Sequence, residues 1–350
     1  MSQPLVTIAG RKIGPGHPPY IVAEMSGNHN GEIARALALI DAAKAAGADA
    51  VKLQTYTADT ITIDHDGPGF TVHGGLWDGR RLYDLYQEAH TPWDWHAQLF
   101  AHAREIGITV FSSPFDPTAV ELLESLDAPA YKIASFELVD IPLIELCART
   151  GKPLIMSTGL ASPAEIAEAV AAARGAGANE IIVLHCNSGY PTPPSDMNLM
   201  TLPHLAAQHG VVAGLSDHTM GVTASVAAVA LGACFIEKHF TLSRAEGGVD
   251  SDFSLEPAEL KRLVTECRDA WLALGSVRYD EAPSEASSRD HRRSLYVVAD
   301  VAAGEELTAA NVRSIRPGFG LPPKHLPQVL GRKAAHALKR GAPLDWSMVE

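Results

Sequence analysis

The sequence predicts a (β/α)8 barrel followed by a small α+β module. Short apolar segments alternate with alanine-rich helical segments from residue 20 to about residue 275. Nearly every apolar segment also ends in polar residues. In a barrel, the carboxyl ends of the strands converge on one mouth, where catalytic groups are usually placed. An open, doubly wound sheet is the second interpretation of the same alternation.

Eight segments have the length and composition of buried strands. They are residues 20–24, 50–54, 108–112, 130–135, 154–157, 181–186, 211–216 and 234–239. The segments between most of them carry apolar residues at the spacing of one helix face, as residues 34–46 do. The strongest helix signal is at residues 163–173, where Ser162 supplies an N-cap and Pro163 occupies the first helical position.

Two further features divide the chain. Residues 57–91 form a long connection between the second and third strands, and a connection of this length is commonly a lid or a substrate-shaping insert. A polar segment at residues 280–291 predicts a linker between a barrel domain at 1–279 and a module at 292–350. The module is too small to be a second enzyme.

Composition narrows the class of protein. The 350 residues contain 28 Lys and Arg against 41 Asp and Glu, so a net charge of −13 argues against nucleic acid as a partner. The amino terminus lacks the pattern of a signal peptide, and the longest nearly apolar segment, 226–236, is too short to cross a membrane. Four cysteines without a C-x-x-C pair predict reduced thiols in a cytoplasmic protein.

Two histidines end neighbouring predicted strands. His218 follows the seventh strand and His239 ends the eighth, so both imidazoles are expected at the same rim. Two imidazoles with open coordination positions suit a divalent first-row metal that acts as a Lewis acid. The alternative is that each histidine only hydrogen-bonds at the end of its strand.

A lysine and several serines at other strand ends suit a phosphate group. An ammonium group and hydroxyl groups from different directions are the donors that a phosphate needs. These residues are Lys132, Ser135, Ser157 and Ser216.

The second strand carries two polar residues on one face. Lys52 and Gln54 are two positions apart, and we expect that face to point into the barrel. A buried lysine needs a carboxylate or an anionic ligand. The alternative to a functional role is a structural ion pair with Glu24 or Glu137.

The roles of three carboxylates and one thiol are not assigned by the residue pattern. Glu24, Glu137 and Asp250 could supply acid–base chemistry or bind sugar hydroxyl groups, and composition does not rank them. Cys186 ends the sixth strand, but the sequence shows no base beside it.

The order of these motifs resembles the sialic acid synthase family over almost the whole chain. The motifs lie at residues 23–31, 48–55, 131–137, 157–159, 214–219 and 237–240. The module, through residues 292–296 and 315–321, is similar to the antifreeze-like (SAF) domain of that family. Within the family, segments 74–79, 82–86 and 91–96 look most like the branch that makes pseudaminic acid.

The resemblance implies condensation of phosphoenolpyruvate with the open-chain aldehyde of an N-acetylated deoxy-hexose. The products are a nine-carbon 2-keto acid and phosphate, formed with C–O cleavage. For the pseudaminate branch the sugar is 2,4-diacetamido-2,4,6-trideoxy-L-altrose. The rival readings are a neuraminate or legionaminate synthase of the same family, a metal-dependent aldolase that uses free pyruvate, and a non-catalytic carbohydrate-binding protein.

The resemblance also implies roles for individual residues. Glu24 and Asp250 would assist catalysis. In the binding of phosphoenolpyruvate, Asn187 could take the place of Ser188. His218 and His239 would hold the metal, commonly Mn2+, with Co2+ or Mg2+ as alternatives. Phosphoenolpyruvate would bind to Lys132, Ser135, Ser157, Ser188, Ser216 and Ser113. The sugar would bind to Lys52, Gln54, Glu137, Tyr190 and Arg316. Arg316 would enter the active site of a partner subunit, which implies a homodimer with exchanged modules.

Overall fold

The computed structural model describes residues 3–350. They form two compact units, one that ends at Gly275 and one that spans Ser276–Glu350. The first unit contains a closed barrel of eight parallel strands. The last barrel strand pairs with the first, which confirms the barrel and excludes the open sheet.

All eight predicted barrel strands are present. A hairpin of β1 (Val6–Ile8) and β2 (Arg11–Ile13) precedes them. The barrel strands are β3 (Tyr20–Glu24), β4 (Ala50–Thr55), β5 (Thr109–Pro114), β6 (Tyr131–Ile133), β7 (Leu154–Ser157), β8 (Ile181–Cys186), β9 (Val212–Asp217) and β10 (Phe235–His239). Strand β6 is shorter than predicted because the chain turns after Ile133 into a 3-10 helix at Phe136–Val139.

Helices separate the barrel strands and cover the outside of the barrel. They are α1 (Ile33–Ala46), α2 (Ala58–Ile61), α3 (Leu82–Ala89), α4 (His96–Ile106), α5 (Pro117–Ser125), α6 (Ile141–Arg149), α7 (Pro163–Gly175), α8 (Thr201–His209), α9 (Thr223–Ala230) and α10 (Pro257–Leu274). Helix α7 begins as predicted, because Ser162 and Glu165 form a capping box. The long insert contains α2 and α3.

The barrel interior changes character along its axis. Residues two positions apart on a strand share a face, so one face of each strand lines the interior. Towards the amino ends this face is apolar and packs with the β1–β2 hairpin, which the sequence analysis did not predict. Towards the carboxyl ends the same face turns polar, as when Phe235 is followed by Glu237 and His239. The hairpin thus seals one end of the barrel, and the polar side chains collect at the other.

The second unit has its own apolar core. Strand β11 (Ser294–Val297) pairs antiparallel with β12 (Val312–Ile315), and α11 (Leu326–Val329) follows. The core includes Leu295, Leu307 and Leu344, all fully buried. The segment before β11, where the linker was predicted, contains a 3-10 helix at Pro283–His291.

Across residues 3–350, every helix is too short or too polar to serve as a membrane span.

Packing inside the barrel generates a stability prediction for Gly214. A Cβ atom at this position would lie 2.6 Å from Cδ2 of Leu184 and closer still to the backbone oxygen of Phe235. We therefore expect Gly214→Ala to lower the free energy of unfolding by about 1–3 kcal/mol through overpacking. Urea titration followed by circular dichroism measures this change.

The matched control is Gly175→Ala in the last position of α7, where a Cβ would meet no atom within 4 Å. This variant should gain up to about 1 kcal/mol from better helix propensity. Equal stability changes in the two variants would contradict the prediction.

Candidate active site

Four buried charges form the centre of the barrel mouth. The ammonium Nζ of Lys52 lies 2.8 Å from Oε1 of Glu237 and 3.2 Å from Oε2 of Glu24. Nζ of Lys132 lies 3.7 Å from the same Glu237 oxygen. All four residues are at most 4% exposed. Two lysines and two carboxylates therefore balance each other in a site with little water.

The two carboxylates of this cluster differ in proton affinity. Burial would raise the pKa of Glu237, but its two lysine neighbours, Lys132 and Lys52, lower it to about 2. Burial raises the pKa of Glu24 to about 7, and Lys52 opposes this shift only in part. Glu237 is therefore the permanent counter-charge, whereas Glu24 can gain or lose a proton near neutral pH.

The two lysines of the cluster also differ in their pKa values. Burial alone would lower the pKa of Lys52, but Glu237 and Glu24 raise it above its ordinary value. Burial lowers the pKa of Lys132 to about 8, because Glu237 only partly compensates it. Lys132 is therefore the cation that an incoming anion would stabilise most.

A hydrogen-bonded chain extends from this cluster to the loop after β10. Nε2 of Gln54 donates to Oε1 of Glu24 at 2.9 Å and lies 3.4 Å from Oγ of Ser26. The Ser26 hydroxyl donates to the carboxylate of Asp250. Oδ2 of Asp250 lies 3.9 Å from Nδ1 of His239. The structure thus brings Gln54, Glu24 and Asp250 together.

The two histidines face each other at the rim, as the sequence predicts. Their ring centroids are 5.3 Å apart, and both residues are at most 9% exposed. Nδ1 of His218 lies 2.8 Å from the backbone oxygen of Asn187, which leaves Nε2 of His218 free. Burial and the nearby His218 lower the pKa of His239 well below its ordinary value, and Nδ1 of His239 has no hydrogen-bond partner in residues 3–350.

This donor set fits a divalent metal in an open site. His239 offers a neutral imidazole whose Nδ1 has no partner, and His218 offers the nitrogen that its hydrogen bond to the Asn187 carbonyl leaves free. In residues 3–350, no group of three or more His, Cys, Asp and Glu side chains is arranged to hold a metal ion. The protein would therefore supply two imidazole ligands, and water or substrate oxygens would complete the coordination.

Aromatic rings enclose the histidine pair. The ring centroid of Tyr190 is 4.3 Å from that of His218, and the centroid of Phe253 is 4.8 Å from that of His239. Trp77 of the long insert packs on Tyr190, with centroids 5.5 Å apart. Its indole nitrogen donates to the backbone oxygen of Val249 at 2.8 Å. The insert therefore contacts the site directly, as expected for a substrate-shaping segment.

Unpartnered hydroxyl groups line the strand ends from β5 to β8. The hydroxyl oxygens of Ser113, Ser157 and Ser188 are buried and have no hydrogen-bond partner in residues 3–350. A Cβ on Gly159 would lie 2.7 Å from the hydroxyl oxygen of Ser135 and closer still to that of Ser188. The glycine therefore leaves room for two hydroxyl groups to converge. Ser216, on β9, has its hydroxyl 3.3 Å from Oε1 of Glu237.

The structure favours Ser188 over Asn187 as a free polar group. The side-chain oxygen of Asn187 accepts from the backbone nitrogen of Gly189 at 2.9 Å and from Thr192 at 3.2 Å. Asn187 therefore stabilises its own loop, whereas the hydroxyl of Ser188 is available to a ligand.

The structure places an imidazole beside Cys186, which the sequence does not show. Its Sγ lies 3.9 Å from Nδ1 of His218. Burial would raise the pKa of this thiol, but the neighbouring His218 lowers it to about 7. The two residues are 32 positions apart in the sequence, so only the pairing of β8 with β9 brings them together.

Two residues of the site were missed by the sequence analysis. The sequence analysis gives no role to Glu237 or to Ser26. The signal for Glu237 was its spacing of two from His239, which places both side chains on one face of β10. The ion pair expected for Lys52 with Glu24 or Glu137 is confirmed with Glu24, and Glu237 is a second partner.

Two further predicted site residues are less buried than the four-charge cluster. Glu137 lies in the 3-10 helix after β6, is partly buried, and has one carboxylate oxygen without a partner in residues 3–350. Arg316 belongs to the second unit and is exposed.

The closed barrel and its buried, charged mouth define a (β/α)8-barrel enzyme. A model of the NeuB family matches residues 39–279, and a SAF domain model matches residues 292–350. A pseudaminic acid synthase of Helicobacter pylori is 44% identical over 334 residues, which cover 95% of this chain and 98% of that protein. One of Campylobacter jejuni is 45% identical over 325 residues, which cover 93% of this chain and 95% of that protein.

A solved structure agrees with these matches. The N-acetylneuraminic acid synthetase of Leptospira borgpetersenii superposes with a TM-score of 0.73 and 32% sequence identity, covering 82% of this chain and 95% of that one. The chain belongs to the NeuB family.

The burial of Glu137 predicts that the stability of the protein depends on pH. Burial raises the pKa of this carboxyl from 4.5 to about 7, so the folded protein binds a proton that the unfolded chain has already lost. This raised pKa makes the wild type lose stability as the pH rises from about 4.5 through 7. Glutamine cannot ionise, so Glu137→Gln should match the wild type near pH 5 and be more stable by about 1–3 kcal/mol at pH 8.

Urea unfolding at both pH values measures the difference. The control is Glu168→Gln on the exposed surface of α7, which should change stability equally at both values. A difference for Glu137→Gln that does not vary with pH would contradict the prediction.

Proposed function

We propose that this protein condenses phosphoenolpyruvate with 2,4-diacetamido-2,4,6-trideoxy-L-altrose, the reaction of pseudaminic acid synthases. The products are a nine-carbon 2-keto acid and inorganic phosphate. The observation that carries the proposal is the mouth itself, where Lys132 and unpartnered serine hydroxyl groups lie at the same barrel rim as the two histidines. Full-length similarity to enzymes named for this reaction supports it.

Phosphoenolpyruvate would bind at the strand ends from β5 to β9. The ammonium group of Lys132 supplies positive charge, and the phosphate would restore the pKa that burial lowers. The unpartnered hydroxyl groups of Ser113, Ser157 and Ser188 would donate to its oxygens, and Ser135 and Ser216 would complete the set. Binding would thus satisfy polar groups that are otherwise buried without partners.

The sugar would bind at the same mouth, next to phosphoenolpyruvate. Lys52 and Gln54 present polar groups there, and Tyr190 packs against His218. Glu137 would bind a sugar polar group through its free carboxylate oxygen.

His218 and His239 would hold a divalent metal, and enzymes of this family are metal-dependent. We propose Mn2+, with Co2+ or Mg2+ as alternatives. When bound, the metal supplies Lewis acidity that polarises the aldehyde oxygen of the open-chain sugar.

Carbon–carbon bond formation and phosphate release then follow from the electrons of phosphoenolpyruvate. Its methylene carbon attacks the aldehyde carbon, the aldehyde oxygen takes up a proton to become a hydroxyl group, and positive charge develops at C2. Water adds at C2, and the C–O bond to phosphate breaks. Glu24 would orient this water and accept its proton, since it lies buried in the mouth and its pKa is about 7. Asp250, through Ser26, would hold the loop beside His239.

A phosphate-release assay tests the reaction and its substrate. Purified protein with Mn2+ and phosphoenolpyruvate should release phosphate with the L-altro sugar, and at least tenfold more slowly with N-acetylmannosamine or its 2,4-diacetamido-6-deoxy relative. In 18O water, the keto acid should carry the label and the phosphate none, because the C–O bond breaks.

Each rival reading fails differently in this assay. Faster turnover of a manno-configured sugar would assign a neuraminate or legionaminate synthase. Product formed from free pyruvate would indicate an aldolase, and no phosphate release with any sugar would indicate a non-catalytic protein. Labelled phosphate would show that water attacks phosphorus and not C2, which would contradict the role proposed for Glu24.

The active unit would be a homodimer in which each SAF module completes the partner's barrel mouth. Arg316 is exposed, so its guanidinium is free to bind an acetamido carbonyl of the sugar. We place the enzyme in the cytoplasm, because all four cysteines are free thiols.

Mixed dimers test the exchange of modules. Arg316→Ala subunits and His218→Ala subunits should each be nearly inactive alone. Random mixing should recover about a quarter of the wild-type activity, because half of the dimers then hold one intact site. Activity and native mass spectrometry of the mixture measure this.

The control is Arg313→Ala, an exposed arginine of the same module, which should stay active without mixing. Hybrid dimers that form but recover no activity would show that the module acts within its own chain.

A further inference from the structure

A buried ion pair lies directly behind the two histidines. Asp217 ends β9 directly before His218, and Lys238 precedes His239 on β10. The two residues are register partners in the barrel sheet, and Nζ of Lys238 lies 3.0 Å from Oδ2 of Asp217. Their side chains are 1% and 0% exposed, respectively. Because side chains alternate along a strand, this pair points outwards where its neighbours point into the mouth.

The pair also holds the backbone around His218. The backbone nitrogen of Thr219 donates to Oδ1 of Asp217 at 2.8 Å, and the hydroxyl of Ser225 on α9 donates to Oδ2 at 2.6 Å. Lys238 donates to the backbone oxygen of Thr219 and lies 3.5 Å from the backbone oxygen of Asp217. The residues on both sides of His218 are therefore tied to the strand that carries His239.

Stability alone does not account for an ion pair in this place. Removing two charges from water is costly, and apolar residues of similar volume often replace such a pair without loss of stability. A fully buried, hydrogen-bonded pair does, however, fix the relative position of the two elements that carry it. One of these strands ends in His239, and His218 directly follows the other.

We propose that Asp217 and Lys238 are positioning residues that set the separation and orientation of the two imidazoles, and thereby the affinity for the metal. The inference rests on the proposed function, because it assumes that His218 and His239 are the ligands. It adds that the metal affinity is determined from the outer face of the barrel, by side chains that touch neither metal nor substrate. Partners outside the first coordination shell commonly change metal affinity by about 10–100-fold.

Metal binding by the whole protein tests the proposal independently of catalysis. The dissociation constant of Mn2+ is measured from the electron paramagnetic resonance signal of free Mn2+, and thermal unfolding of the same samples is recorded without metal. Asp217→Leu combined with Lys238→Met removes both charges and keeps an apolar filling. We expect this variant to stay folded and to bind Mn2+ at least tenfold more weakly.

Milder variants keep the test decisive if the double variant does not fold. Ser225→Ala removes one hydrogen bond to Asp217 and should weaken Mn2+ binding by about two- to fivefold. Lys238→Arg keeps the charge and should bind Mn2+ more tightly than Lys238→Met. The control is Asp49→Asn, which breaks the ion pairs of a buried aspartate with the partly exposed Arg11 and Arg268 elsewhere on the barrel unit and should leave the Mn2+ constant unchanged.

The outcomes separate this inference from the proposed function. Folded pair variants that bind Mn2+ as tightly as the wild type would overturn the positioning role. If His218→Ala and His239→Ala bind Mn2+ as tightly as the wild type, the ligand assignment itself fails. A comparable loss of affinity in Asp49→Asn would show a general effect of lost stability and would also overturn the inference.

Discussion

The mouth of the barrel depends on the balance of four buried charges. Lys52 and Lys132 neutralise Glu24 and Glu237 in a site with little water, and an unpaired charge there would be very costly. The same contacts also give the four groups different pKa values. Glu237 stays ionised, while Glu24 and Lys132 have pKa values of about 7 and 8. The same network that stabilises the mouth therefore leaves one carboxylate and one ammonium group able to exchange protons near neutral pH.

The rest of the barrel supports this cluster. The β1–β2 hairpin and an apolar lower interior close one end, so solvent enters the barrel from the other. On the outer face, the Asp217–Lys238 pair joins β9 to β10 behind the histidines. Interior charges and exterior charges thus alternate along the same two strands. The alternation of a β-strand lets one segment serve the site with one face and the scaffold with the other.

Much of this could be predicted from the sequence, because strand and helix signals are local. Three strand predictions, including that of β7, have the observed bounds, and the Ser162 cap begins α7 as expected. The polar residues at the ends of the predicted strands indicated that Lys132 and His239 would lie at the mouth of the barrel. The β1–β2 hairpin was missed, because strands of three residues carry too little periodicity to be recognised.

The sequence by itself determined the order of elements, the polar rim and the family resemblance, since each depends on residue type and spacing. Only the tertiary structure decided which charges meet. Lys52 is 185 positions from Glu237 and 28 from Glu24, and spacing alone does not distinguish Glu237 from Glu137 as a partner. Closure of the barrel between β10 and β3 makes that choice, because it places the last strand's carboxylate beside the first strands' charges.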